Sequence, residues 1–241
     1  MKIAKSININ EVLGKSEQHL HFLAPNIAIH VEMQSAFIAL VNAAKAAAID
    51  LKIASGFRSF ERQLLLWNNK FSGKTAIKDI HGKIIAPEKL SPEQLMYSIL
   101  LFSALPGASR HHWGCDIDVY APNLLAKGYQ LKLEPWEYGQ DGPLAKLSAW
   151  LNENAGQYGF FSPYASYQGG VAHEPWHLSY LPLAEKYQQA FNIQTLAETL
   201  QQSKILGKAV ILANLPDIAE NYINNISAAP SNIITNNASS N

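Results

Sequence analysis

The segment from Cys115 to Tyr120 most constrains the fold, because its side chains alternate between apolar and polar. Successive side chains of a β-strand point to opposite faces, so this alternation predicts a strand whose apolar face joins the core. Asp116 and Asp118 then share the other face, which we expect to border a cleft. Elsewhere strand-like and helix-like patterns do not alternate regularly. These features favour an α+β fold, with a small antiparallel sheet and flanking helices, over a doubly wound parallel sheet.

Apolar spacing and capping signals divide the rest of the chain into predicted elements. Ser91 marks the clearest helix start, because this capping serine is followed by Pro92 and, at the third helical position, by Gln94. Helices are predicted at 31–50, 59–70, 91–105, 143–154, 182–191, 193–203 and 209–226, and extended chain at 51–54, 115–120 and 172–181. Residues 1–30, 73–89 and 159–170 are expected to be irregular, the last as a mobile loop.

We predict one domain over residues 1–226, with a core region at about 51–187 and additional C-terminal helices at 193–226. Residues 227–241 contain only Ser, Ala, Pro, Asn, Ile and Thr. A segment with no charge and no periodicity has little to bury, so we predict a disordered tail there.

The composition excludes several classes of protein. Hydrophobic residues make up 48% of the 241 residues and charged residues 16%, as in a globular protein. The 19 basic and 19 acidic residues balance, which argues against a nucleic-acid partner. The single cysteine excludes an intramolecular disulfide and a cysteine-rich zinc module. No apolar run suits a membrane span or a signal peptide, so we expect a cytoplasmic protein, or a periplasmic one if a leader has been removed.

Histidines and carboxylates concentrate in two short segments of the chain. The first segment contains His111, His112, Asp116 and Asp118, and the second contains His173, Glu174 and His177. A hydrolytic zinc site needs three nitrogen or oxygen ligands, an open position for water, and a nearby carboxylate that accepts the water's proton. The two segments together contain enough groups for such a site.

The string from His173 to His177 matches the H-E-x-x-H pattern, in which two histidines on one face of a helix bind zinc. Pro175 argues against this interpretation, because proline inside a helix lacks an N–H group and clashes with the preceding turn. Neighbouring residues also suit extended chain. We therefore predict that this string is not a helical zinc motif.

A site that combines the two segments accounts for these histidines and carboxylates better than a helical zinc motif does. His111 lies just before the predicted strand and Asp118 lies on it, while His177 belongs to a second extended segment that can run alongside. Glu174 would then accept a proton from the water that the metal activates and return it to the leaving amine.

Three motifs in order support this hypothesis: SGFRSFERQ at 55–63, SRHHWGCDID at 109–118 and EPWH at 174–177. Together they resemble the VanY-type D-alanyl-D-alanine carboxypeptidases of the M15 metallopeptidase family, whose pattern is SGYRS, then SxHxxGxAxD, then ExWH. The resemblance implies the hedgehog/DD-peptidase fold, in which helices flank a small antiparallel sheet. The chain departs from the pattern at Phe57, which replaces tyrosine, and at Asp116, which replaces a small residue.

The resemblance also implies the roles of individual residues. One Zn²⁺ ion per chain would be held by His111, Asp118 and His177, with Glu174 as the general base. Arg58 matches the arginine that contacts the substrate near the scissile bond or its terminal carboxylate, and its planar fork suits a carboxylate. Gln63 and Ser109 match substrate-contacting positions.

The family acts on cell-wall peptides that end in D-alanine, so the resemblance implies a peptidoglycan-derived peptide as the partner, without nucleic acid or membrane. A cytoplasmic member would meet recycled muropeptides, whose stems often end in a single D-alanine. We therefore expect a zinc-dependent L,D-carboxypeptidase that acts on tetrapeptides. The alternatives are a D,D-carboxypeptidase, a D-Ala-D-Ala dipeptidase, or a non-catalytic zinc-containing binding module. The motifs leave this choice and the oligomeric state open.

Overall fold

The alternating segment forms the predicted strand, and this strand lies inside the main sheet. The computed structural model describes residues 7–231 and residue 233. Its strands are β1 (Leu20–Ala24), β2 (Ile27–His30), β3 (Lys52–Ser55), β4 (Ile77–Lys78), β5 (Ile84–Ile85), β6 (Asp116–Tyr120), β7 (Phe160–Phe161) and β8 (His177–Tyr180). The main sheet is antiparallel, with strand order β3–β6–β8–β7. Ile117 and Val119 are fully buried on one face of β6, so its carboxylates project from the other face.

The helices follow most of the predicted apolar spacing. They are α1 (Ile9–Val12), α2 (Gln34–Ala46), α3 (Phe60–Phe71), α4 (Pro92–Leu100), α5 (Pro135–Tyr138), α6 (Ala145–Asn154), α7 (Leu181–Ala190), α8 (Ile193–Gln202), α9 (Lys208–Ala213) and α10 (Leu215–Ile218). Ser59 and Ser91 cap α3 and α4 as predicted, and α4 has both hydrogen bonds of a capping box. The helix predicted at 209–226 is broken, because Pro216 lacks an N–H group and starts a new helix.

Three segments that we expected to be irregular contain strands. Residues 1–30 include α1 and the β1–β2 hairpin, and residues 73–89 include the β4–β5 hairpin. Residues 159–170 contain β7, an edge strand of the main sheet, so the prediction of a loop throughout was wrong. Most of these strands lack a recognisable alternation in the sequence, for one of two reasons. β4, β5 and β7 have two residues each, too few for a period, and β1 is partly or fully exposed along its whole length.

The buried apolar side chains form two clusters. The first, which includes Leu40 and Ile117, packs the main sheet against α2, α6 and α7. The second, which includes Trp67, Leu200 and Ile218, packs α3 and α4 against α8, α9 and α10. The C-terminal helices therefore support α3, the helix that begins in the SGFRSFERQ motif.

None of the helices in the described part of the chain is both long and apolar enough to cross a membrane. The predicted tail, residues 227–241, lies mostly outside the described residues, and residues 227–231 contain no helix or strand. The single domain at 1–226 stays a prediction.

Candidate active site

Strand pairing brings two of the candidate ligands together. Asp118 on β6 is the direct cross-strand partner of His177 on β8, and facing side chains of such a pair lie close to each other. The Asp118 Oδ1 atom lies 3.3 Å from the His177 Nδ1 atom, and both residues are buried. The antiparallel register of the sheet therefore joins the second and third motifs.

The third candidate, His111, lies on a 3₁₀-helical turn, Arg110–Trp113, directly before β6. Gly114 ends this turn with a φ of 70°, a left-handed conformation that glycine adopts without strain. The His111 Nδ1 atom lies 3.0 Å from the Gly56 carbonyl oxygen, to which it must donate because a carbonyl only accepts. The other ring nitrogen, Nε2, lies 3.4 Å from Asp118 Oδ2 and has its lone pair free for a metal ion.

These three side chains fit a metal ion. One ligand atom from each of His111, Asp118 and His177 lies within 4.8 Å of the others. Asp118 Oδ1 and His177 Nδ1 are buried without a hydrogen-bond partner among the described residues, although buried polar atoms nearly always have one. A cation between these atoms would satisfy both. Two imidazoles and one carboxylate also form a three-ligand set suited to zinc, with a position left open for water.

The charges around the group also favour a cation. Burial alone would raise the pKa of Asp118, but the neighbouring His111 and His177 outweigh burial and lower it. Burial alone would lower the pKa of His177, but the neighbouring carboxylates of Asp116, Asp118 and Glu174 outweigh burial and raise it well above its ordinary value. Because the carboxylates of Asp118 and Glu174 both face His177 Nδ1, a cation at this point would be stabilised.

Glu174 lies beside the group, on the turn that precedes β8. Residues 173–176 are not helical, and the His177 amide donates to the Glu174 carbonyl at 3.1 Å, so the prediction of a non-helical string is confirmed. The Glu174 amide donates to the Tyr164 carbonyl at 3.1 Å, which fixes the backbone. The Glu174 Oε2 atom lies 3.4 Å from His177 Nδ1. The carboxylate therefore faces the same point as the ligand atoms, where a base for water is needed.

A cavity of about 620 Å³ opens onto the group, and Arg58 lines it. Arg58 Nη1 donates to Gln63 Oε1 at 2.9 Å, and Nη2 donates to Ser55 Oγ at 3.2 Å. Burial lowers the pKa of the guanidinium, while the charges of Asp118 and Glu174 oppose this effect. A guanidinium has five N–H groups, so these two bonds hold the fork in place and leave donors for a carboxylate in the cavity.

The structure places Gln63 and Ser109 differently, and their role as substrate contacts stays a prediction. Its side chain is fully buried on the inner face of α3 and does not line the cavity. Besides accepting from Arg58, it donates through Nε2 to the Ala104 carbonyl at 2.7 Å. Gln63 therefore helps to fix the Arg58 guanidinium without lining the cavity itself. Ser109, in contrast, lines the cavity where the resemblance implies a substrate contact.

The two remaining histidines of the motifs lie outside the group. His112 bonds through Nδ1 to the Arg58 carbonyl, and its Nε2 accepts from the Gly107 amide at 2.9 Å. Burial lowers the pKa of His112 to about 3, so its ring is neutral and structural. His173 is exposed.

A second part of the cavity lining contains no recognisable motif, and we name it the charged wall: Lys78, Lys132, Glu134 and Trp136. Lys78 forms an ion pair with Glu134, whose Oε2 atom accepts from Trp136 Nε1 at 2.9 Å. The Lys132 Nζ atom lies 5.9 Å from the centre of the Trp136 ring. These residues come from β4 and from the region around α5, where no motif marks them, so only the folded chain reveals the wall.

Comparison with known proteins shows which family the chain is similar to. The family model of VanY, D-alanyl-D-alanine carboxypeptidase, matches residues 26–183. An uncharacterised protein of Haemophilus influenzae is 41% identical over 121 residues, which cover 49% of this chain and 92% of that protein. A D-alanyl-D-alanine carboxypeptidase of Enterococcus faecalis is 25% identical over 175 residues, which cover 71% of this chain and 55% of that enzyme. The alignment thus spans about half of the Enterococcus protein.

Among solved structures, VanYB in complex with D-alanine-D-alanine superimposes with a TM-score of 0.50 at 24% identity, covering 77% of this chain and 89% of that chain. This likeness supports the predicted α+β fold of the hedgehog/DD-peptidase type. The family model covers more than half of the chain and includes all three motifs. The chain therefore belongs to the VanY family of D-alanyl-D-alanine carboxypeptidases.

Proposed function

We propose that this protein is a zinc-dependent carboxypeptidase that removes a C-terminal D-alanine from peptidoglycan stem peptides, with a preference for tetrapeptides. The convergence of His111, Asp118 and His177 at one buried point, with Glu174 beside them, carries the proposal. A carboxypeptidase must also hold a free terminal carboxylate. Arg58 lines the same cavity and has donors available for that purpose.

His111, Asp118 and His177 would hold a zinc ion, which would lower the pKa of a water molecule and polarise the scissile carbonyl. Glu174 is placed to accept a proton from water as the water oxygen adds to the carbonyl carbon, and to deliver that proton to the D-alanine nitrogen as the C–N bond breaks. Arg58 binds the terminal carboxylate and thereby places the last peptide bond beside Glu174. Gln63 and Ser55 keep the guanidinium oriented while the substrate binds.

The charged wall supports the preference for tetrapeptides. In a tetrapeptide stem, which ends in a single D-alanine, the residue before the scissile bond is not D-alanine, and a long polar side chain at that position would reach this wall. In a pentapeptide that residue is D-alanine, which has only a methyl group. Lys78, Glu134 and Trp136 line the same cavity as Arg58 and offer both charges and an exposed indole to a long polar side chain.

The decisive experiment incubates the purified protein with a disaccharide tetrapeptide and, separately, with the pentapeptide, and measures released D-alanine. We expect release mainly from the tetrapeptide, loss of activity with a chelator, and recovery with zinc. Preference for the pentapeptide would favour a D,D-carboxypeptidase, and release of intact D-Ala-D-Ala would favour a dipeptidase.

The control variant Glu174→Ala separates the enzyme from a non-catalytic zinc-containing module. It removes the base but none of the three proposed ligands, so zinc content after gel filtration should be unchanged while turnover falls by about 10²–10⁴-fold. Full turnover in this variant would contradict the role of Glu174.

We also propose that the protein acts in the cytoplasm on recycled muropeptides, a location that rests on the sequence alone. Cell fractionation with an antibody against the native protein tests it. Recovery in the periplasmic fraction would contradict this location without bearing on the chemistry.

A further inference from the structure

A buried polar network lies behind His177, on the ring nitrogen that faces away from the proposed metal site. Asp116 Oδ2 lies 3.0 Å from His177 Nε2 and accepts from Arg110 Nε at 2.6 Å. The other oxygen, Oδ1, accepts from Ser179 Oγ at 2.8 Å. Asp116 and Ser179 are fully buried, and neither lines the cavity. Asp116 can therefore affect the site only through its neighbours.

Arg110 stabilises the charge of Asp116 in this buried position. Its guanidinium also donates to Ser179 Oγ at 2.8 Å and stacks on Trp113, with Cζ 4.6 Å from the ring centre. Because Arg110 Nε donates to Asp116 Oδ2 at 2.6 Å and Ser179 Oγ donates to Oδ1 at 2.8 Å, Asp116 is a carboxylate paired with a guanidinium, and it only accepts hydrogen bonds.

We propose that Asp116 is a positioning residue that fixes the tautomer and the orientation of His177 for metal binding. Since Asp116 only accepts, His177 Nε2 must carry the hydrogen, which leaves the lone pair of Nδ1 directed at Asp118 and Glu174. A carboxylate behind a ligating histidine holds the ring and raises its basicity. The inference rests on the proposed function, because it assumes the metal site.

The network also ties the two ligand segments to each other. Arg110 immediately precedes His111 in the chain, and Asp116 and Ser179 are cross-strand partners on β6 and β8. One carboxylate thus connects the turn that carries His111 with the strand that carries His177. We expect its loss to weaken metal binding although no ligand is removed.

The test must avoid leaving Arg110 buried without its partner, because a buried unpaired charge is strongly destabilising. We therefore compare Arg110→Met/Asp116→Asn with Arg110→Met/Asp116→Leu. Both double variants remove the ion pair and place a neutral side chain of similar size at position 116. They differ in that the asparagine oxygen can accept from His177 Nε2–H, whereas leucine cannot.

Zinc affinity, measured with zinc alone by competition with a chromophoric chelator, is the first measurement. We expect the leucine variant to bind zinc about 10- to 100-fold more weakly than the asparagine variant. Equal affinities would overturn the inference while leaving the proposed function intact. Absence of zinc binding in the unmodified protein would overturn the proposed function itself.

A second measurement needs no variant and covers the case in which the double variants do not fold. Nitrogen-15 spectra of the histidine rings in the zinc-loaded protein report which nitrogen carries hydrogen. We expect His177 to carry it on Nε2, and the opposite tautomer would overturn the inference.

Discussion

Replacing Gln63 by leucine tests whether Arg58 recognises the terminal carboxylate. Gln63 is fully buried and gives Arg58 Nη1 its acceptor at 2.9 Å, while the remaining contact, to Ser55 Oγ, is longer at 3.2 Å. Leucine has a similar volume but removes this acceptor, so the guanidinium is held at one terminal nitrogen instead of two.

The structure sets the size of two effects. A hydrogen bond to a charged group is worth about 1.5–3 kcal/mol, so kcat/KM for a peptide with a free carboxylate should fall about 10- to 100-fold, mainly through KM. The Ala104 carbonyl also loses its partner at 2.7 Å, which should lower the free energy of unfolding by about 1–3 kcal/mol. Chemical denaturation reports the second effect independently of the first.

Steady-state release of D-alanine measures the first effect, with a peptide amide of the same sequence as the control substrate. The amide lacks the carboxylate, so its slower cleavage should respond little to Gln63→Leu. The matched control variant Ser55→Ala removes only the longer contact of Arg58 and should change KM less. A folded Gln63→Leu protein with unchanged kcat/KM would refute the role that we assign to Gln63 and Arg58.

Three further outcomes are expected. Glu174→Gln, which keeps the size of the side chain but not its basicity, should retain zinc in metal analysis while kcat falls about 10²–10⁴-fold; near-normal kcat would contradict its role as the base. Burial and the nearby charge of Arg58 lower the pKa of Lys70 from 10.5 to about 8. Between pH 8 and 10.5 the unfolded chain therefore binds more protons than the folded chain. The free energy of unfolding should rise by about 1 kcal/mol from pH 8 to 9, and denaturation of Lys70→Met should show no such rise. Ser91→Ala removes the capping box of α4 and should lower the free energy of unfolding by about 1 kcal/mol with kcat unchanged; a change in kcat would contradict a purely structural role.

Local chemistry explains why much of the site could be predicted. The alternation in Cys115–Tyr120 places Asp118 on the polar face of a strand whatever the rest of the chain does. Pro175 excludes a helix at the second histidine segment through its own ring, and Ser91 supplies its cap within one turn. Signals of this kind act over a few residues and can therefore be interpreted before the fold is known.

The remaining features depend on residues that only folding brings together. Gln63 has the polarity of a surface residue, yet α3 buries it behind Arg58, where it meets the Ala104 carbonyl. Likewise, nothing near Ser179 in the chain indicates that it bonds to Asp116, because the contact arises from the register of β6 and β8. Sequence alone determined the motifs, the main strand and, through residue type, the chemistry of the candidate ligands. Tertiary structure alone decided which polar groups are buried, and burial makes their hydrogen bonds obligatory.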